Sequence, residues 1–200
     1  MAVTFIGLIV IFYGLLCLGL RQWQTRLLFF PDNQLDALPD AVGLDYEEVV
    51  LTVGDDKNQG TVHGVWIPSR VDPAVDQDIS IAVDPSELEI SAPTVLYLHG
   101  NGSNVGDLTE MGQQFHHLGW NSLLIDYRGY GRSQGPFPNE QRVYEDAAAA
   151  WTYLIEERQL QPDHVLVYGH SLGGAIAIEL ATRYPEMAGV IVEGSFTSMR

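Results

Sequence analysis

In "VLVYGHSLGGAIAIELA", residues 165–181, Ser171 stands between Gly169 and Gly173, with an apolar run before it and a helix-forming run after it. A serine on a sharp strand-to-helix corner exposes its hydroxyl for attack on a carbonyl, and the flanking glycines remove side chains that would collide there. The bare Gly-x-Ser-x-Gly pattern is weak in a chain with 20 glycines. Strand, corner and helix in that order are what give it force. The competing reading makes Ser171 the N-cap of an ordinary strand-to-helix loop.

Attack on a carbonyl creates an oxyanion, which needs two donors aimed at it. The backbone N–H of Leu172, at the start of the helix, is the first candidate. The second is expected from the loop in "LYLHGNGSN", with the N–H of Asn101 favoured and Gly102 close behind. His99, ending a strand beside Gly100, reads as a brace for that loop rather than as a base. A dinucleotide reading competes here. "GNGSNVG" follows a strand, and Asp126 lies twenty-four residues after Gly102, but the glycine spacing departs from the usual fingerprint. In "DYRGYGRSQG", Asp126 and Arg128 are either catalytic or, as favoured here, paired to stiffen a glycine-rich loop. His116 and His117 face different directions on a helix, without carboxylate or thiol at ligand spacing, so they read as solvated or core residues. No metal is expected from them.

The elements that must position these residues follow from hydrophobic period and turn chemistry. Residues 46–56 and 60–69 read as strands joined by a polar turn at 55–59, and 71–92 as an acidic surface loop with a marginal strand at 79–83. From residue 93, strands at 94–100, 121–131, 164–169 and 188–196 alternate with helices at 105–119, 139–158 and 172–185. Asn139 is the expected cap of the second helix. Such alternation predicts an α/β fold, a mostly parallel sheet with helices on both faces, whose ligands bind at the carboxyl ends of the strands. The loops 99–104, 126–135 and 169–173 fall at those ends.

The chain has 200 residues, 46% of them hydrophobic, enough for one domain with a substantial core. Its net charge of −16 argues against nucleic acid as a partner. The acidity is concentrated in residues 31–90, with fourteen acids against Lys57 and Arg70. The single cysteine, Cys17, excludes an internal disulfide. Residues 1–20 carry no charge, long enough for a transmembrane helix, and Arg21 and Trp23 suit the interface. The expected organisation is an anchor at 1–22, a connector at 23–43 and a catalytic-type domain at 44–200. Arg21 and Arg26 on the C-terminal side of the span place that domain in the cytoplasm.

His99-Gly100-Asn101, Asp126-x-Arg128-Gly129-x-Gly131-x-Ser133 and Gly169-His170-Ser171-Leu172-Gly173-Gly174 occur in an order that resembles the α/β-hydrolase superfamily. The resemblance is to its membrane-anchored α/β-hydrolase-domain proteins and to the serine-aminopeptidase and lysophospholipase-like group. It implies an eight-stranded sheet, a Ser, Asp or Glu, His triad, and hydrolysis of acyl esters, thioesters or amides without a cofactor. It also implies an acid after a seventh strand and a histidine after an eighth, whereas this sequence runs to Arg200, just past a sixth. Sequence reasoning therefore expects a truncation of roughly 70–100 residues on usual domain sizes, or a non-catalytic membrane-tethered scaffold. It expects little hydrolysis from these 200 residues alone, because a serine without a base stays protonated. The anchor points to lipid or lipidated-protein esters as substrates.

Overall fold

Every residue of the run Thr-Val-Leu-Tyr-Leu is buried, and so is every residue of Asn-Ser-Leu-Leu-Ile. A strand buried on both faces must be covered on both. The computed structural model describes residues 2–35, 37–56, 58–70 and 92–196, and arranges them accordingly. Six strands, β1 (Glu47–Val53), β2 (Gly60–Ile67), β3 (Thr94–Leu98), β4 (Asn121–Ile125), β5 (Val165–His170) and β6 (Gly189–Glu193), form one sheet in the order β1-β2-β4-β3-β5-β6. β1 and β2 are antiparallel to their neighbours, and β4, β3, β5 and β6 run parallel.

Alternate side chains divide the core. Val65, Ile67, Val95, Tyr97 and Leu124 form one cluster, against which Met111 and Phe115 of α2 (Thr109–His117) pack. Trp66, Leu96, Leu98, Leu123 and Ile125, one residue out of step, are equally buried. α3 (Glu140–Thr152) and α4 (Leu172–Arg183) pack together, and Trp151 stacks on Tyr184 with ring centroids 5.4 Å apart. β6 forms one edge of the sheet among the described residues, opposite β1, and its Ile191 and Val192 are exposed.

Register sets the place of the loops. Leu98 pairs with Ile125 and with Gly169, and Gly169 pairs with Val192, so β3, β4, β5 and β6 end side by side. Strand β4 is shorter than the expected 121–131, because from Asp126 onward the backbone closes turns: Tyr130 N–H donates to Tyr127 and Ser133 N–H to Tyr130. The expected helix at 105–119 begins instead as a 3-10 turn, Val105–Leu108. It is capped reciprocally by Asn104, whose side chain accepts from Gly106 N–H, and by Asp107, which accepts from Asn104 N–H. The α-helical part of 139–158 stops at Thr152 and continues as a π turn, Tyr153–Glu157. The marginal strand at 79–83 and nearly all of the acidic loop 71–92 lie outside the described residues.

Residues Met1–Phe30 form a unit of their own around α1 (Ala2–Leu28). Its stretch Thr4–Leu28 is long and apolar enough to cross a membrane by length and composition, and its large apolar side chains are exposed. The second unit begins at Pro31. In it, the Asp32 carbonyl accepts from Gly131 N–H at 2.8 Å, and the Gln34 carbonyl accepts from the Asn104 side chain at 2.8 Å.

Asn139 caps α3 by accepting from Arg142 N–H at 2.9 Å. Asn139→Ala is expected to lower unfolding stability by about 1 kcal/mol, read by chemical denaturation.

Candidate active site

Ser171 follows β5 and precedes α4 with φ +51° and ψ −114°, a conformation that side-chain-bearing residues rarely adopt. The two glycines around it are required by close approach. A Cβ on Gly173 would lie 1.9 Å from the Leu98 carbonyl oxygen, and one on Gly169 would lie 2.3 Å from the Gly173 carbonyl oxygen. No other residue fits this corner without moving β3 or α4. Ser171 N–H donates to the Glu193 carbonyl at 2.8 Å, which fastens the corner to the end of β6. The Ser171 hydroxyl makes no cap hydrogen bond to α4 and no other hydrogen bond among the described residues. His170 is exposed and makes no hydrogen bond to Ser171 among the described residues.

The loop after β3 lies against this corner. A Cβ on Gly100 would meet Ser171 Cβ at 3.3 Å and His170 Nδ1 at 3.0 Å. His99 is fully buried, and its protonated Nδ1 donates to the Gly100 carbonyl at 2.7 Å. Burial holds the His99 pKa below the ordinary imidazole value, against the pull of the Asp126 carboxylate 3.9 Å from Nε2. Tyr127 and Tyr130 brace the same loop: the Tyr127 hydroxyl donates to the His99 carbonyl at 3.1 Å, and the Tyr130 hydroxyl donates to Asn101 Oδ1 at 2.7 Å. Leu172 is buried in the first position of α4, where a helix leaves its N–H groups without intrahelical acceptors. Leu172, Asn101 and Ser171 are therefore brought to one end of the sheet.

Asp126 and Arg128 are both fully buried, but they do not pair with each other as expected. The Asp126 carboxylate accepts from Val105 N–H at 2.7 Å and Arg132 N–H at 3.2 Å, and lies 3.4 Å from His63 Nδ1. It gathers three separate segments by satisfying their donors. This also removes the dinucleotide reading, which needs that carboxylate free to face a ribose. Arg128 turns instead to α3, where its Nε donates to Asp146 at 2.6 Å, its N–H to Asp146 at 2.8 Å and its Nη2 to Glu145 at 2.7 Å. The pairing differs because Asp146 lies on the inner stripe of α3 with Val143, Ala147, Ala150 and Trp151. A carboxylate in that stripe has to meet a cation.

Asp146 was legible as a charge at an apolar-stripe position, yet sequence reasoning passed over it. Tyr127, Tyr130 and His63 carried no local signal, since each acts on a segment more than twenty-five residues away. His116 Nδ1 donates to the Pro68 carbonyl at 2.8 Å, and His164 is exposed. Among the described residues no group of three or more His, Cys, Asp or Glu is placed to hold a metal ion.

Residues 91–200 match the family described as serine aminopeptidase, S33. The chain belongs to that family. Among curated relatives, protein bem46 of Schizosaccharomyces pombe is 38% identical over 117 residues, covering 58% of this chain and 39% of its own. Alpha/beta hydrolase domain-containing protein 17B of Xenopus laevis is 37% identical over 109 residues, covering 52% and 36%. The chain spans less than two fifths of the length of these relatives. Among solved structures, the esterase Pf2001 of Pyrococcus furiosus superposes with a TM-score of 0.63 at 19% identity, over 84% of this chain and 57% of that one. An α/β hydrolase from Vibrio vulnificus gives 0.54 at 24% identity, over 76% and 45%. The solved structures show the α/β-hydrolase fold, and the family match with these relatives shows a hydrolase family.

Burial raises the Asp146 carboxyl from its usual range to about 6, even with Arg128 opposing the shift. A carboxyl whose folded pKa exceeds its unfolded one contributes most to stability at low pH, and that contribution is lost as pH rises from about 4 to about 6. Arg128→Met leaves this carboxylate buried without its cation. It is expected to cost about 3–5 kcal/mol at pH 8 and less at pH 5, where the lone carboxyl protonates. Denaturation midpoints at the two pH values read the difference.

Proposed function

We propose that this chain carries the nucleophile of a membrane-anchored serine hydrolase that cleaves acyl ester, thioester or amide bonds. The observation that carries the reading is Ser171 itself, strained at φ +51°, its hydroxyl without a hydrogen bond among the described residues and the Gly100 loop packed against it. In this reading Ser171 Oγ bonds to the acyl carbon while its proton passes to a histidine. The carbonyl oxygen, now negative, accepts from Leu172 N–H and Asn101 N–H, and the dipole of α4 adds to that stabilisation. The histidine then protonates the leaving group, and water releases the acyl group from Ser171 by the reverse steps. Gly169 and Gly173 shape the corner, and His99, Gly100, Asp126 and Arg128 support the loops. The base and its acid are assigned to sequence beyond Arg200, where the family pattern places them, and no cofactor takes part.

The apolar helix α1 supports anchoring, and a site tethered to a bilayer meets lipid or lipidated-protein esters more often than free solutes. The two arginines at its C-terminal end support a cytoplasmic catalytic domain.

A serine-directed fluorophosphonate applied to the full-length protein tests the nucleophile. Wild-type protein is expected to label and folded Ser171→Ala to remain unlabelled. Labelling that survives in Ser171→Ala contradicts the assignment, and absence of labelling in both supports a non-catalytic scaffold instead.

A further inference from the structure

The six-residue stretch around the nucleophile contains a glycine that the Gly-x-Ser-x-Gly pattern does not use. Gly174 follows Gly173, and a Cβ there would lie 2.4 Å from Ser195 Cβ and 2.5 Å from Ser195 Oγ. The side chain that occupies this space comes from the loop after β6, twenty-one residues on from Gly174. Its hydroxyl donates to the Ser171 carbonyl oxygen at 2.6 Å. The same oxygen accepts from Gly174 N–H at 3.0 Å.

We propose that Ser195, admitted by Gly174, is the positioning residue for the Leu172 oxyanion donor. The inference rests on the serine-hydrolase reading above. The Ser171 carbonyl and the Leu172 N–H belong to one peptide unit, which is planar and trans, so the two point in opposite directions from a rigid plate. Holding the carbonyl with two donors on one side therefore aims the N–H on the other. A peptide whose carbonyl accepts hydrogen bonds is also polarised, which makes its N–H a stronger donor. Ser171 N–H is fixed independently by the Glu193 carbonyl, so the loss of Ser195 leaves the nucleophile attached to β6 while the next peptide, held only through Gly174 N–H, can tilt.

A group that aims an oxyanion donor acts on the transition state and little on substrate binding. In full-length protein hydrolysing a short-chain p-nitrophenyl ester, Ser195→Ala is expected to lower kcat about tenfold or more, with KM within about twofold. Gly174→Ala, which pushes the hydroxyl off the carbonyl, is expected to show the same split. Ser195→Thr keeps the hydroxyl and is expected to recover most of the rate. Thermal melts run alongside. A kcat for Ser195→Ala within twofold of wild type overturns the proposal, and so does a rate loss that only tracks a loss of folded protein. Parallel fluorophosphonate labelling separates the two failures. If Ser171→Ala abolishes labelling while Ser195→Ala leaves kcat intact, the nucleophile stands and the positioning role falls. If Ser171→Ala still labels, both fall.

Discussion

The backbone of Ser171 is the constraint on which the rest of this structure turns. A φ of +51° with ψ of −114° costs on the order of 1–3 kcal/mol for a residue with a side chain. It persists because its surroundings leave no alternative. The Glu193 carbonyl holds one side of the residue and the Ser195 hydroxyl the other, and the glycines at 169 and 173 let β3, β5 and α4 close on it. Strained geometry at a strand-to-helix corner is where an α/β hydrolase keeps its reactive residue, and the S33 family match places this chain among such proteins.

Around that corner, buried polar groups act as struts. Asp126 binds backbone donors from the loop before α2 and from its own loop. Arg128 carries the same loop onto α3 through Asp146 and Glu145, and onto the turn between β1 and β2 through the Asn58 carbonyl. Each bond is of ordinary length, yet Asp126, Arg128 and Asp146 are fully buried, and each would be left unsatisfied if its partner were removed. That makes the scaffold rigid and sensitive to single substitutions well away from Ser171. The segment 31–34, read from the sequence as connector, joins the same scaffold by lending carbonyls to Gly131 and Asn104.

What the sequence made legible is what depends on neighbours along the chain. Ser171, its two glycines, the strand before it and the helix after it were visible together, because the corner is built from one continuous run, residues 165–183. The alternation from residue 93 gave the parallel sheet, and Asn139 gave the start of α3. Contacts closed across the fold were less legible. Arg128 was matched with Asp126, nearby in sequence, but the packing of α3 brings it Asp146 from eighteen residues on. Ser195 is one of many serines until β6 is paired with β5, which brings its loop over Gly174. The end of β4 was overrun because apolar residues continue through Tyr127 and Tyr130 after the sheet pairing has stopped.

A crystal structure of the full-length protein carrying a phosphonate adduct tests the central claim most directly. The account predicts phosphorus bonded to Ser171 Oγ, with its non-bridging oxygen within about 3 Å of both the Leu172 and Asn101 amide nitrogens. An adduct oxygen turned away from those two amides, or a Ser171 with an ordinary negative φ, would contradict it.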